Sequence, residues 1–422
     1  MSISSLGWLA FMSALVVRSL FILNYPLNSF EFYPEDSHEY VTLADRALHG
    51  NFNFDLERFI RAPLYPIFIA LHKWLLGIYW QQGLIISQLL LASLTGVFLF
   101  RISTILFSNR RISACVALLF AIYLPVFYYV YSFTSETLFM FLNVLAFYFL
   151  MRFAQQRQPR HLFLYGITFT FSYLTRAEIL LFLPFAIFLI FYVNYPSWFR
   201  AAGHTSAVLG CWILLTLPWG VTNYKLHHQY ITSSNGGWFV FYLSNSEIGY
   251  ADIVDTPPQD SPAYDSLMSN YNYYDPKFDS IMKLPAQIRQ DVFLHRSMEW
   301  AYNDPQRFVT VKFWNAVNFF TPGLTIGHHD EMVWWIMFLF CLPFHLLYYT
   351  GVILLIRRIQ FKYQLAFLGY WLSSFGFLVI FLYHARFRVY SIEVFYLLFA
   401  GFAFNWLVTA LSKRTSTANY AH

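Results

Sequence analysis

The chain has 422 residues, of which 58% are hydrophobic and only 12% charged, with a formal net charge of +5. A soluble domain carries about 25% charged residues, and no water-soluble fold of this length hides so much apolar side chain; lipid is the solvent the composition calls for. The positive charge is not a nucleic-acid signal, since no Lys/Arg-rich patch gathers it, and Cys115, Cys211 and Cys341 lie in separate apolar runs without the spacing of a disulfide framework or a zinc site.

About 20 mostly apolar residues cross a hydrocarbon core as a helix. Runs of that kind fall near 6–24, 82–100, 112–131, 135–151, 161–175, 177–194, 205–221, 332–356, 363–383 and 391–411, which predicts an all-α polytopic membrane protein with about ten spans. The first run has no basic residues before it and no A-x-A site after it, so it reads as a retained span rather than a signal peptide. It carries Arg18 several residues short of its outer end. An arginine inside a span is costly and marks a candidate functional site, although snorkelling to the interface is open to it as well.

A first large loop follows, about 25–81, with P-E-D-S-H-E-Y at 34–40. Asp36 or Ser37 suits a helix N-cap. Asp36, with Glu35 beside it, also suits a general base at the lipid boundary, where partial desolvation raises a carboxylate pKa. Tyr40, four residues on, shares a helical face with Asp36. Farther along stands Arg61-Ala62-Pro63-Leu64-Tyr65-Pro66, whose prolines are expected to break helix and hold an extended turn that presents Arg61. Residues 63–80 are apolar but short, with His72 and Lys73 at the centre, and read as an interfacial amphipathic helix. A span there would put the two large loops on opposite sides.

The basic residues assign the faces. Arg101, Arg110, Arg111, Arg152, Arg157, Arg160, Arg200, Arg357, Arg358, Lys362, Lys413 and Arg414 all fall in connections on one side, the expected cytoplasmic side. Glu136 and the pair Arg176/Glu178 fall at the opposite ends of their spans, where a solvated turn is the plain reading of the pair. The second large loop, about 222–331, shares that outer face; its stretch 271–279 lacks apolar periodicity, whereas 285–305 reads as an amphipathic helix closed by Asp304-Pro305. The loops divide the chain into a membrane region at 1–221, the outer loop region at 222–331 and a second membrane region at 332–422. His328-His329-Asp330-Glu331 offers metal-ligating types, but adjacent histidines point apart on a regular element, so no metal site is assigned. Finally, His384-Ala385-Arg386-Phe387-Arg388 places two arginines on the side that disfavours them. A phosphate partner accounts for both, because the guanidinium fork matches phosphate oxygens; ordinary lipid headgroups are the competing partner.

Taken together, the acid with a Tyr four residues on, Arg61-x-Pro63, Tyr65-Pro66, Leu-Thr-Arg-Ala-Glu at 174–178, Leu-Pro-Trp-Gly-Val-Thr-Asn-Tyr at 217–224 and Ala-Arg-Phe-Arg-Val-Tyr-Ser-Ile-Glu-Val-Phe at 385–395 resemble the GT-C membrane glycosyltransferases. The nearest likeness is to the dolichyl-phosphate-mannose protein mannosyltransferases and the bacterial aminoarabinose transferases. Departures are Thr222 where that family usually has Arg, Tyr390 in place of a Pro, and the reversed acidic order of Glu35-Asp36. The resemblance implies a GT-C fold with two extracytoplasmic loops and an inverting transfer outside the cytoplasm. The implied donor is a sugar on a polyprenyl phosphate and the acceptor a lipid, glycan or protein, with no cofactor named and the need for a divalent metal left open. On this reading Asp36 takes the acceptor proton with Glu35 beside it, and Tyr40, Tyr65 and Glu136 shape the substrate site. Arg61, Arg176, His384, Arg386, Arg388 and Arg18 are its candidate phosphate contacts. A bacterial inner membrane with a periplasmic active face is the expected location, the endoplasmic reticulum the alternative. An O-antigen polymerase or ligase would use a lipid diphosphate instead. A transporter or flippase would gather its ionisable residues nearer the midplane, and a membrane scaffold would leave Asp36, Arg61 and Arg386 unexplained.

Overall fold

A computed structural model describes residues 3–24, 34–55, 59–254, 278–326, 331–355 and 357–418; most of 271–279, together with His328, His329 and Asp330, lies outside them, as does the side chain of Glu35. Among the described residues the chain is helical, with one isolated bridge between Asp55 and Ile60. Helices are the economical answer in lipid, because they satisfy every backbone polar group within the segment.

Among the described residues seven stretches are long and apolar enough to cross a membrane: Leu64–Phe107, Glu136–Gln156, Ala177–Asn194, Trp198–His227, Glu331–Leu355, Phe361–Phe381 and Ala385–Ser412. The pair Arg110–Ile122 and Leu124–Tyr131, bent by 55°, makes an eighth if it counts as one span. The chain is thus an integral membrane protein, and each of the ten expected runs falls on a helix. The first expected span is the 22-residue helix Ile3–Asn24, and the fifth is Pro159–Thr175, which has 17 residues.

In chain order the first half comprises α1 (Ile3–Asn24), α2 (Pro34–Leu48), α3 (Leu64–Leu76), α4 (Trp80–Phe107), α5 (Arg110–Ile122), α6 (Phe127–Tyr131), α7 (Glu136–Gln156), α8 (Pro159–Thr175), α9 (Leu183–Asn194) and α10 (Trp198–His227). The 222–331 region supplies α11 (Gly237–Ser244), α12 (Glu247–Val254), α13 (Phe278–Met282), α14 (Ala286–Asn303) and α15 (Pro305–Phe320). The chain closes with α16 (Glu331–Leu355), α17 (Phe361–Gly376), the short α18 (Ala385–Arg388) and α19 (Val394–Ala418). The amphipathic helix expected at 285–305 is α14, and Asp304 starts the next helix by accepting from the Arg307 N–H at 3.1 Å.

α7 is the axis of the bundle: 72% of its apolar window is buried, against 28% for α10 and α16, which turn most of their surface outward. Its inner face packs in one continuous core with residues from α4, α5, α8, α9, α17 and α19.

α3 does not continue α4. Tyr65 Oη donates to Gln88 Oε1 at 3.0 Å, and a His72 ring nitrogen lies 2.8 Å from Ser87 Oγ. In one straight helix residues 65 and 88 would stand about 35 Å apart. The chain instead reverses at Gly77, whose φ of 52° suits glycine, and α3 folds back over the head of α4. Thirteen residues are too few to span, as expected of 63–80. The prolines act differently from the expectation of an extended turn: Pro63 precedes the first turn of α3 and Pro66 sits within it, where a missing N–H breaks no helical bond.

With α3 folded back, the two large loops meet. Ile60 N–H donates to Asn235 Oδ1 at 2.7 Å, and Arg289 reaches Asp55 at 3.4 Å. The motif at 217–224 serves this junction: Trp219 Nε1 donates to the Ser233 carbonyl at 2.8 Å and Asn223 Nδ2 to the Ile231 carbonyl at 3.0 Å. Thr222, which stands where the resembled family usually has Arg, donates to the Pro218 carbonyl at 2.9 Å.

At Gly351 α16 approaches α19 so closely that a Cβ would strike the Phe399 carbonyl. Gly351→Leu should therefore destabilise the bundle by about 1–3 kcal/mol or more, whereas Gly210→Leu on α10, with nothing within 4 Å, should be close to neutral. Thermal unfolding of the two purified variants in one detergent checks the difference.

Candidate active site

One end of the bundle carries a cluster of opposite charges brought together from α2, the 59–63 segment, the N-terminus of α7, the turn after α8, and α18. Asp36 is not an N-cap. It lies in the first turn of α2, and its carboxylate points sideways: Oδ1 accepts from Arg61 Nη2 at 2.7 Å and Oδ2 from Arg386 Nη1 at 2.6 Å. Arg61 also donates through Nε to Glu39 Oε2 at 2.9 Å. Arg386 uses its Nε on Glu136, whose carboxylate accepts a second guanidinium, from Arg176 Nη1, at 3.1 Å. Arg176 completes its fork on Glu178 at 2.6 Å. The result is a chain of alternating charge, from Glu39 through Arg61, Asp36, Arg386, Glu136 and Arg176 to Glu178.

Aromatic and hydroxyl groups frame it. Tyr40, on the Asp36 face of α2 as its spacing predicts, lies under the Arg61 guanidinium at 5.2 Å and donates to Ser135 Oγ at 3.2 Å. Ser135 also accepts from Arg176 at 3.1 Å. Arg176 stands over the rings of Phe387 and Tyr390, at 4.9 and 4.6 Å, and Tyr390 Oη donates to Glu178 at 3.1 Å. The Asp36 carboxylate keeps 24% of its surface and Arg61 16%, so the cluster opens toward solvent at the α2 end and closes at Glu136, which is fully buried.

Burial works to raise the Asp36 pKa, but the Arg386 and Arg61 guanidiniums outweigh it and hold the carboxyl well below the usual carboxylate range. This corrects the expectation of a raised pKa: the desolvation is there, and the paired arginines are stronger.

Other candidates fall outside the cluster. Tyr65 is buried and props Gln88, which donates to the carbonyls of Val130 and Ser132 at 2.9 and 3.1 Å and so fixes the approach to α7. His384 caps α18, its Nδ1 accepting from the Arg386 N–H at 3.1 Å. Arg388, two residues from Arg386, points the other way. It is fully buried, bonds Glu393 at 2.5 Å, and donates to the carbonyls of Asn318, Thr321 and Gly323, two of them at 2.6 and 2.7 Å. That is a structural latch, not a substrate contact. Arg18 neither snorkels nor joins the cluster; it donates to the Phe120 carbonyl at 3.0 Å and lies against the rings of Phe120 and Phe127, pinning α1 to the bend after α5. Among the described residues no group of three or more His, Cys, Asp or Glu is arranged for a metal ion, and of the 328–331 run only Glu331 is described.

Three participants escaped sequence reasoning. Glu39 was visible as an acid three residues after Asp36, on the same helical face. Glu178 was seen only as half of a solvated turn, although it is tied to Arg176 and Tyr390. Glu393 was the clearest signal missed, an acid within an apolar span and so a candidate by its cost alone.

Residues 61–221 match the model of the family described as dolichyl-phosphate-mannose-protein mannosyltransferase. No curated protein matches the chain in sequence. Among solved structures it is similar to the archaeal oligosaccharyltransferase AglB from Archaeoglobus fulgidus in complex with an inhibitory peptide and a dolichol-phosphate, with a TM-score of 0.58 at 13% identity over 99% of this chain and 52% of that one. The Archaeoglobus fulgidus oligosaccharyltransferase tethered to an acceptor peptide containing the NVT sequon gives a TM-score of 0.55 at 14% identity, over 97% of this chain and 50% of that one. The chain thus spans about half the length of these structures.

Two outcomes separate the roles assigned above. Because the folded pKa of Asp36 is depressed, its stabilising contribution should be complete above the ordinary carboxylate value near 3.9 and be lost as pH falls through that range toward the folded pKa. The gap in unfolding midpoint between wild type and Asp36→Asn should accordingly hold steady above about pH 5 and shrink below about pH 4. Arg388→Ala, which leaves the buried Glu393 carboxylate without its guanidinium and with only the Tyr123 hydroxyl and the His345 ring beside it, should cost about 3–5 kcal/mol in thermal unfolding.

The resemblance read from the sequence stands: residues 61–221 match the model of the dolichyl-phosphate-mannose-protein mannosyltransferase family, and the all-helical membrane fold is similar to that of an archaeal oligosaccharyltransferase.

Proposed function

We propose that the protein is a membrane glycosyltransferase that moves a sugar, with inversion, from a polyprenyl-phosphate donor to an acceptor hydroxyl or amine on the extracytoplasmic face of a bacterial inner membrane. The observation that carries this reading is the convergence of Arg61, Arg176 and Arg386 on one end of the bundle around Asp36, a base candidate a quarter exposed. The family match, and a neighbour solved with a dolichol-phosphate, support the donor class.

The chemistry fits the groups present. The acceptor oxygen or nitrogen bonds to the anomeric carbon, the bond from that carbon to the phosphate oxygen breaks, and the acceptor proton passes to Asp36. The leaving phosphate gains a negative charge and needs cations rather than an acid, which guanidiniums supply in a partly desolvated site. In the resting arrangement Arg61 and Arg386 are bound to Asp36 and make it a weak base. A donor phosphate that draws those arginines to itself strips Asp36 of both partners and places an anion nearby, and both changes raise its pKa toward a value useful for proton transfer. Tyr40 orients Arg61 from below, and the 222–331 region, tied to the first loop through Asn235 and Arg289, bounds the acceptor side. The acceptor belongs to the lipid, glycan or protein class.

Reconstituted protein with a polyprenyl-phosphate sugar is the direct assay. Asp36→Asn should lower transfer by about 10²–10⁴-fold while binding the polyprenyl phosphate at least as well as wild type, since Arg386 no longer has that carboxylate to leave. Full transfer by this variant would sink the proposal, and activity only with a lipid diphosphate donor would favour the polymerase or ligase reading.

A further inference from the structure

The end of the bundle opposite the charged cluster carries a feature that sugar transfer does not use. α7 begins at Glu136 in the cluster and runs 21 residues, about 31 Å, so its far end at Arg157 lies one membrane thickness away. The C-terminus of α9 and the N-termini of α10 and α17 meet it there, and between them opens a cavity of about 730 Å³. Its wall is apolar, built by Ile187, Phe188 and Phe191 of α9 and by Trp198 of α10, and its charged lining residues are Arg157 and Lys362. From Pro184 to Val193, both in the wall, the cavity follows α9 for about 14 Å, close to the depth of one leaflet's hydrocarbon, about 15 Å.

Among the described residues the two cations have no acid to answer them. Among the described residues neither forms an ion pair; Lys362 donates to the Ala154 carbonyl at 2.8 Å, and Arg157 is exposed. Arg157 also closes α7 in the left-handed conformation, with φ 56°, a place where glycine fits with less strain. Like charges lining one mouth repel, and an anion between them removes that cost. Basic pockets between membrane helices on the cytoplasmic side bind anionic headgroups, and this mouth lies among the basic connections.

We propose that this cavity binds an anionic glycerophospholipid of the cytoplasmic leaflet, its phosphate between Arg157 and Lys362 and an acyl chain along the α9 wall. The site pins α7, α9, α10 and α17 at the end where no charged cluster holds them.

The test uses full-length protein in phosphatidylcholine nanodiscs, with and without phosphatidylglycerol, read by thermal unfolding and by native mass spectrometry of bound lipid. Phosphatidylglycerol should raise the unfolding midpoint of wild type by several degrees and remain bound on release from the disc. Arg157→Glu, at a side chain that makes no hydrogen bond or ion pair among the described residues, should abolish both effects; Lys362→Gln should weaken them. Equal stabilisation by either lipid, or a phosphatidylglycerol effect that survives Arg157→Glu, would overturn the proposal. So would a response confined to added polyprenyl phosphate, which would make the occupant the sugar carrier. Because the readouts are unfolding and lipid retention, they stand whether or not sugar transfer is found.

Discussion

The bond between Asp36 and Arg386 joins residues 350 positions apart, and much of the charged end of the molecule is arranged by it. Through Arg386 the α2 carboxylate is tied to the last span, through Arg61 to the segment that starts α3, and through Glu136 the network reaches the axis of the bundle and the turn after α8. Partly buried ion pairs of this kind contribute little to net stability, because desolvation offsets most of the attraction. Their effect is selective. A loop that packs with any one of these charges left alone meets the full cost of an unpaired ion, so the network specifies which arrangement of the loops is allowed.

Two arginines in Arg386-Phe387-Arg388 show how position decides role. α18 is one turn long, and residues two apart on it point to different sides. Arg386 faces the cluster and keeps company with groups that a substrate can displace. Arg388 faces into the bundle, where Glu393 and the carbonyls after α15 use its fork completely. The same side chain therefore supplies exchangeable charge on one side and a fixed strut on the other, and the strut sets where the exchangeable charge stands.

Much of this was legible in the chain. Composition gave the solvent, runs of apolar residues gave the helices, and the basic connections separated the two ends. Asp36, Tyr40, Arg61, Glu136, Arg176 and Arg386 were picked out from residue type and place, and the fold brings all six together. What pattern does not carry is partner choice. An arginine in a span reads as costly, yet nothing near Arg18 in sequence says that its partner is a carbonyl more than a hundred residues on. Tyr65 sits in a family-like motif but spends its hydroxyl on Gln88. Where a span bends is hidden for a physical reason as well: hydropathy measures apolar length, whereas breaks such as the bend at Tyr123–Pro125 shorten helices without making them polar. The pKa expectation for Asp36 erred in the same way, since burial is visible in sequence and counter-ions are not.

The doubly bonded Asp36 also bears on how a catalytic cycle of the proposed kind ends. Transfer turns a singly charged phosphodiester into a doubly charged phosphate monoester, a product that three arginines would hold tightly. At that moment Asp36 carries the acceptor's proton and makes no claim on them. Once the proton escapes to water, the carboxylate competes again for Arg61 and Arg386, and it does so at a local concentration no soluble anion can match. The base is then also the eviction device: the spent carrier is expelled by a group already in the site, and loss of a proton sets the moment of its release.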